Sequence, residues 1–252
     1  MEKDELLAKR IRELARTAEN RGFVTFTDFL DLNEQNILNQ TLQKFSFIRG
    51  ETFGGYEGAE RQMAAFLPDP YYDQTQIDWP IACIRIVPAN ARFAEKLTHR
   101  DMLGALMSLG IERSRMGDIA VGDQESYLFC SSQLSDVICE ELTQIRHTNV
   151  RCTCCSLTDF TYTPKTQTVH GSIASVRLDS VMALAFGSSR SSLLSLIEGG
   201  KVFVNGRLIT TNAYALKEGD IVSVRGLGKF RYTGVTGDTR KGRHMAALEK
   251  YI

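Results

Sequence analysis

A chain of 252 residues with 43% apolar and 24% charged side chains is long enough for two or three small domains, each with its own core. Nowhere does it reach the roughly 18 uncharged apolar residues that a membrane span needs. Met1-Glu2-Lys3-Asp4-Glu5 is a charged helix start rather than the apolar core of a signal peptide, so a cytoplasmic protein without a membrane partner is expected. The net charge of zero hides a division. Residues 177–252 hold 12 Lys/Arg against 6 Asp/Glu, and the remaining chain holds 18 against 24. A basic module joined to an acidic body points to a polyanion as partner of the basic end.

Residues 1–78 read as a small helical and β unit. Leu7, Ile11, Leu14 and Ala18 recur at helical spacing. A second helix is expected over Asn33–Phe45, with Asp31 or Asn33 as its cap. Strands are expected over Lys44–Phe53 and Arg61–Leu67, joined by the loop Gly54-Gly55-Tyr56-Glu57-Gly58. Pro68-Asp69-Pro70 closes the unit.

Residues 79–160 show the order β-α-β-β-α-β: strand Ile81–Val87, helix Leu97–Leu109, strands Asp118–Val121 and Ser126–Cys130, helix Gln133–Arg146, strand Val150–Leu157. Thr98 and Asp101 fit a capping pair at the start of the first of these helices. That order is the ferredoxin-like (RRM-like) sandwich, so the fold class is α+β. Residues 161–176, rich in Thr, Ser and Pro, read as a linker that has room for one strand at Gln167–Ser175.

Residues 177–252 carry the functional signal. A short helix, Leu178–Phe186, stops at Gly187, and Ser188 or Ser189 caps a second helix with Leu193, Leu194 and Ile197 inward. Gly199-Gly200 ends that helix. Lys201-Val202-Phe203-Val204 alternates like a strand, Asn205-Gly206 is a tight-turn dipeptide, and strands follow at Ile221–Gly226 and Gly228–Tyr232. The second helix start offers free amides and a positive dipole end to phosphate. Arg177, Ser189 and Arg190 lie at the two helix starts. Lys201, Asn205, Arg207, Arg225, Lys229 and Arg231 lie on the strands and turns beside them. Phe230 and Tyr232 are placed to stack on bases. These nine residues, with no catalytic group, metal or cofactor, form the expected RNA-binding set.

Arg177-Leu178-Asp179, Ser189-Arg190-Ser191, Ile197, Lys201-Val202, Val204-Asn205-Gly206 and Gly219-Asp220-Ile221 with Val224 resemble the S-four-type (alpha-L) RNA-binding domain. The resemblance implies two helices on a small sheet, structured RNA over the helix pair, and RNA contact by Arg177 and Arg190. Farther upstream, His99-Arg100-Asp101-Met102-Leu103-Gly104-Ala105-Leu106-Met107-Ser108-Leu109-Gly110-Ile111 and Gly117-Asp118-Ile119 resemble the middle domain of the YlmH family of Gram-positive bacteria. That likeness spans nearly the whole chain. It implies binding to ribosomal RNA and tRNA on the large ribosomal subunit, with roles in ribosome-associated quality control and a genomic link to cell division; a monomer is expected. Cys152-Thr153-Cys154-Cys155 departs from the family pattern.

Rival chemistries fit less well. Arg177-Leu178-Asp179 matches the catalytic triplet of pseudouridine synthases, but Ser180-Val181-Met182-Ala183 follows it and no large β domain remains. The Gly-rich loop sits between two strands, where a methyltransferase needs strand and helix. Cys152, Cys154, Cys155, His147 and His170 lack the paired spacing of a zinc site, and buried free thiols are expected. The alternatives kept open are an accessory to an RNA-modifying enzyme and a cell-division interaction protein with secondary RNA binding. For selectivity, His99, Arg100, Arg113 and Arg115 are the cations of the acidic body expected to touch a protein or tRNA.

Overall fold

A computed structural model describes residues 2–45, 49–68, 77–161, 166–239 and 242–251. The expected strand start before Arg49 and the stop at Asp69-Pro70 fall partly outside these residues. The chain forms two compact units, Met1–Tyr162 and Thr163–Ile252. Both mix helix and sheet, as an α+β protein does.

In the first unit, α1 (Glu2–Arg21) and α2 (Leu32–Lys44) cover a three-stranded antiparallel sheet of β1 (Thr25–Phe26), β3 (Met63–Phe66) and β2 (Gly50–Phe53), in that spatial order. The helical spacing read from the sequence builds its core: Ile11, Leu14, Ala15 and Ala18 pack with Leu30, Leu38, Ala64 and Phe66. Asp31, not Asn33, caps α2. Its carboxylate accepts from Glu34 N at 2.9 Å, and Glu34 returns the bond to Asp31 N.

The middle segment is β4 (Ile81–Pro88), α3 (His99–Ser108), β5 (Met116–Val121), β6 (Ser126–Ser131), α4 (Ser135–Glu141), β7 (Gln144–Ile145) and β8 (Thr148–Cys155). The sheet order β5-β6-β4-β8-β7, all antiparallel, is the ferredoxin-like order with one short strand added. Thr98 and Asp101 form the expected capping box on α3. The second helix is half the expected length. Glu140 and Glu141 place negative charge at its carbonyl end, where the helix dipole disfavours it. Arg146 then turns the chain at φ 53°, so Ile145 is buried as part of an edge hairpin.

One face of this sheet is covered along its length, and the other is covered at one end, with Arg85, Arg151 and Thr153 of that face exposed. Ile84, Ile86, Leu128 and Cys130 meet Met102, Leu106 and Ile138 of the helices. On the other face, Cys83 and Phe129 pack with Phe29, Met63, Tyr56 and Phe160. Gly55, at φ 102°, lies so close that a Cβ there would stand 2.4 Å from the Phe129 ring. The Gly-rich loop is thus a packing device, not a phosphate cradle. Polar bonds lock the same seam. Asp118 accepts from Tyr56 Oη at 2.7 Å and from Glu60 N and Arg61 N, while Arg61 donates to Met116 O and Phe29 O.

The second unit begins earlier than the expected boundary at 177. The stretch read as linker contains β9 (Thr166–Ile173), whose Thr, Val and Ile favour a strand. It pairs along its whole length with β14 (His244–Tyr251), from Thr166↔Tyr251 to Ile173↔His244. After β9 come α5 (Leu178–Phe186), α6 (Arg190–Glu198), β10 (Val202–Val204), β11 (Arg207–Leu208), β12 (Ile221–Val224) and β13 (Gly228–Asp238). The sheet runs β11-β10-β12-β13-β14-β9. Leu178, Val181, Met182, Leu193 and Ile197 of the helices pack on Val202, Val204, Val222, Val224, Phe230, Tyr232 and Leu248.

Candidate nucleic-acid interface

The helix pair is shaped by its caps. Arg177 stands at the N-cap of α5, and its guanidinium grips Asp179 with two bonds, Nε–Oδ1 at 3.2 Å and Nη2–Oδ2 at 3.3 Å. The carboxylate is buried, while Arg177 keeps about 40% of its side chain exposed. The pair orients the arginine without removing it from solvent. Gly187 ends α5 in the left-handed region, φ 60°, and the chain bends by 118° into α6. Ser189, not Ser188, is the N-cap of α6, accepting from Ser192 N at 3.3 Å. Arg190 follows as the exposed first helical residue, so two arginines mark the starts of two successive helices.

The strand residues divide. Phe230 is fully buried and Tyr232 is 2% exposed, both inside the helix-side core, so neither stacks on a base. Burial also pushes the Tyr232 phenol pKa up, with Glu218 adding to it. Strand alternation explains the correction: with residues 230 and 232 turned toward the helices, Lys229 and Arg231 face the opposite side of the sheet. There Lys229 Nζ stands 4.8 Å over the Tyr251 ring, and the Arg225 guanidinium 5.3 Å over Phe203, which at 1% exposure is as covered as Phe230 and does not stack on a base either. The alternation of Val202-Phe203-Val204 was the sequence signal for Phe203; Tyr251 had none, because its partner strand lies far away in the chain. Arg231 sits directly across from Glu249.

Asn205 has a structural role at its turn. At φ 48° its amide donates to Asp220 Oδ1 at 2.8 Å and its carbonyl accepts from Ile221 N at 2.9 Å. The side chain clamps the turn onto β12. Lys201 and Arg207, on either side of it, are exposed. The nine expected residues therefore form a helix-start group (Arg177, Ser189, Arg190), a turn group (Lys201, Asn205, Arg207) and a group toward the far face of the sheet (Arg225, Lys229, Arg231).

Cations expected to serve the acidic body are mostly committed inside it. Arg113 donates to Met116 O and Gly117 O at 2.9 Å each, and burial beside Arg61 lowers its pKa to about 10. Arg115 binds Asp28, Ser131 and Gln133. Arg100 and His99 remain exposed at the start of α3. Cys154 is exposed rather than buried, and Cys139, Cys152 and Cys155 are half-buried.

Residues 3–70 match the domain described as "YlmH, N-terminal", residues 75–159 the "Putative RNA-binding domain in YlmH", and residues 176–222 the S4 domain. The chain is 30% identical over 243 residues to the Bacillus subtilis (strain 168) "Ribosome-associated protein quality control protein P2", spanning 94% of this chain and 91% of the relative. A stretch of 50 residues is 44% identical to the small ribosomal subunit protein uS4 of Chromohalobacter salexigens, covering 19% of this chain and 24% of that protein. The solved structure of the cell division protein ylmH from Streptococcus pneumoniae shares the fold at a TM-score of 0.51 and 22% identity, over 62% of this chain and 93% of that one. Its three matched domains and its near full-length likeness to the B. subtilis protein place this chain in the YlmH family, with an S4 RNA-binding domain at residues 176–222.

Proposed function

We propose that the protein is a non-enzymatic RNA-binding factor that works on the ribosome, as the name of its B. subtilis relative indicates for that protein. Its targets are ribosomal RNA and tRNA on the large subunit, its setting is cytoplasmic, and its role lies in ribosome-associated quality control or a closely linked step of translation. The carrying observation is the pair Arg177 and Arg190 at the starts of two consecutive helices, set by Gly187 and Ser189 within the S4 segment. Free amides at the start of α6 add donors and a positive dipole end for phosphate. Lys201 and Arg207 extend the same field. Arg225, Lys229 and Arg231 supply cations toward the other face of the sheet, and Asn205 holds the turn that positions its neighbours.

A structural role for Asp179 supports the non-enzymatic reading. It is the one acid of the Arg-Leu-Asp triplet, and it is buried against Arg177 and Ser180 rather than presented to a substrate. The protein acts as a monomer without cofactor or metal. The test is cosedimentation with purified large subunits over a range of salt. Arg177→Ala with Arg190→Ala is expected to weaken binding and lower the salt slope by about one counterion for each phosphate contact removed. Unchanged cosedimentation would favour a protein-contact role of the kind suggested by the cell-division name of the S. pneumoniae relative.

A further inference from the structure

Six cysteines occupy the middle segment, and their sulfurs have different neighbours. Cys83 and Cys130 are buried. The Cys152 thiol points at Leu142 O, 3.4 Å away, and the Cys155 thiol at Cys83 O, 3.5 Å away. Cys139 and Cys154 instead face each other, Sγ to Sγ at 3.7 Å, one from α4 and one from β8. Cys154 is exposed. A bond of about 2.05 Å requires the two sulfurs to close that gap.

We infer that Cys139 and Cys154 form a redox modification site, closing to a reversible disulfide when the protein meets a hydroperoxide. The exposed Cys154 sulfur attacks the terminal peroxide oxygen as its thiolate. The O–O bond breaks, the alkoxide leaves and takes from water the proton that the Cys154 thiol had released, and Cys154 becomes a sulfenic acid. Cys139 then attacks the Cys154 sulfur; the S–O bond breaks, and the departing hydroxide takes the Cys139 proton as water. Two thiols and one hydroperoxide give one disulfide, one alcohol and one water. Burial and the adjacent Cys154 push the Cys139 thiol up, which keeps it protonated at rest and leaves the exposed Cys154 to meet the peroxide first. The product ties α4 to β8. That helix has seven residues and a single fully buried anchor, Ile138, so the tie restrains a lightly held element.

The full chain is exposed to one equivalent of tert-butyl hydroperoxide, quenched with N-ethylmaleimide, and read by intact mass and peptide mapping. The expected product has two fewer alkylated thiols and a crosslinked peptide joining Cys139 to Cys154, and dithiothreitol reverses it. Cys152→Ser keeps the crosslink, and Cys154→Ser abolishes it. Cys139→Ser stops at a sulfenic acid on Cys154 that dimedone captures. Six alkylated thiols after peroxide, a crosslink through Cys152, or loss of the crosslink in Cys152→Ser would each overturn the assignment.

Discussion

The two large sheets of this molecule have similar strand counts and opposite economies of surface. In the five-stranded sheet the helices take one face, and Phe29, Met63, Tyr56 and Phe160 take the Phe129 end of the other, leaving Arg85, Arg151 and Thr153 exposed beyond it. Phe129, on a central strand of the face where an RRM displays its stacking aromatics, is wholly enclosed. In the six-stranded sheet the helices again take one face, and Lys229, Arg231 and Glu249 lie on the other, where Phe203 is buried. An RRM-like order of strands thus identifies a fold and leaves its use open. What such a sheet can offer to RNA depends on which of its side chains the neighbouring elements leave exposed.

Breaking the second sheet should have the largest effect. A fragment starting at Arg177 lacks β9 and leaves the paired edge of β14 bare, whereas Thr163–Ile252 retains it. The shorter fragment is expected to lose cooperative unfolding and aggregate, and the longer one to melt in a single transition by circular dichroism. Phe129→Ala tests the first sheet. Emptying that enclosed site should cost about 3–5 kcal/mol, read by urea unfolding through Trp79. This is the one tryptophan of the chain, packed 5.6 Å from both Phe26 and Phe53. RNA affinity should be retained.

Asn205→Asp separates scaffold from contact within the expected RNA-binding set. It keeps the acceptor for Ile221 N but sets a carboxylate against Asp220. A loss of about 1–3 kcal/mol is expected, with the salt slope of RNA binding unchanged. Lys229→Ala with Arg231→Ala should lower RNA affinity less than Arg177→Ala with Arg190→Ala; the reverse order would move the interface to the far face of the sheet. The smallest effect belongs to His99. Burial of part of its ring and nearby Arg113 hold its pKa below the ordinary value. Folding therefore favours neutral imidazole, and stability should decline slightly as pH falls from the unfolded value toward the lower folded one. Much of the residue is exposed, so solvent mutes the change. His99→Gln should flatten that part of the stability profile.

Short-range signals in the sequence were legible. Asp31, Thr98 with Asp101, Gly187 and Asn205-Gly206 each act within a few residues, and the structure uses them all. Apolar periodicity found the helices and the βαββαβ order. Less legible was anything that depends on a distant partner. The burial of Phe230 and Tyr232 follows from strand parity relative to α5 and α6, which a run of alternating residues does not reveal. The capture of Arg113 and Arg115 depends on carbonyls and acids brought close by folding. At the site itself, the arginines at the helix starts were visible because caps are local. Division of the strand cations between groups was not, because facing is a tertiary property.

The position of β14 between β13 and β9 sets an order of events during synthesis. Thr166 leaves the ribosome long before Tyr251, its partner in the sheet. Until His244–Tyr251 has emerged, β9 has no strand partner, and the growing chain carries it with both edges unpaired. The helix pair and the central strands can collapse earlier, since their contacts are closer in sequence. This unit therefore closes last at the edge that was made first, and interruption of its translation upstream of His244 would release a chain with an adhesive strand and no means of covering it.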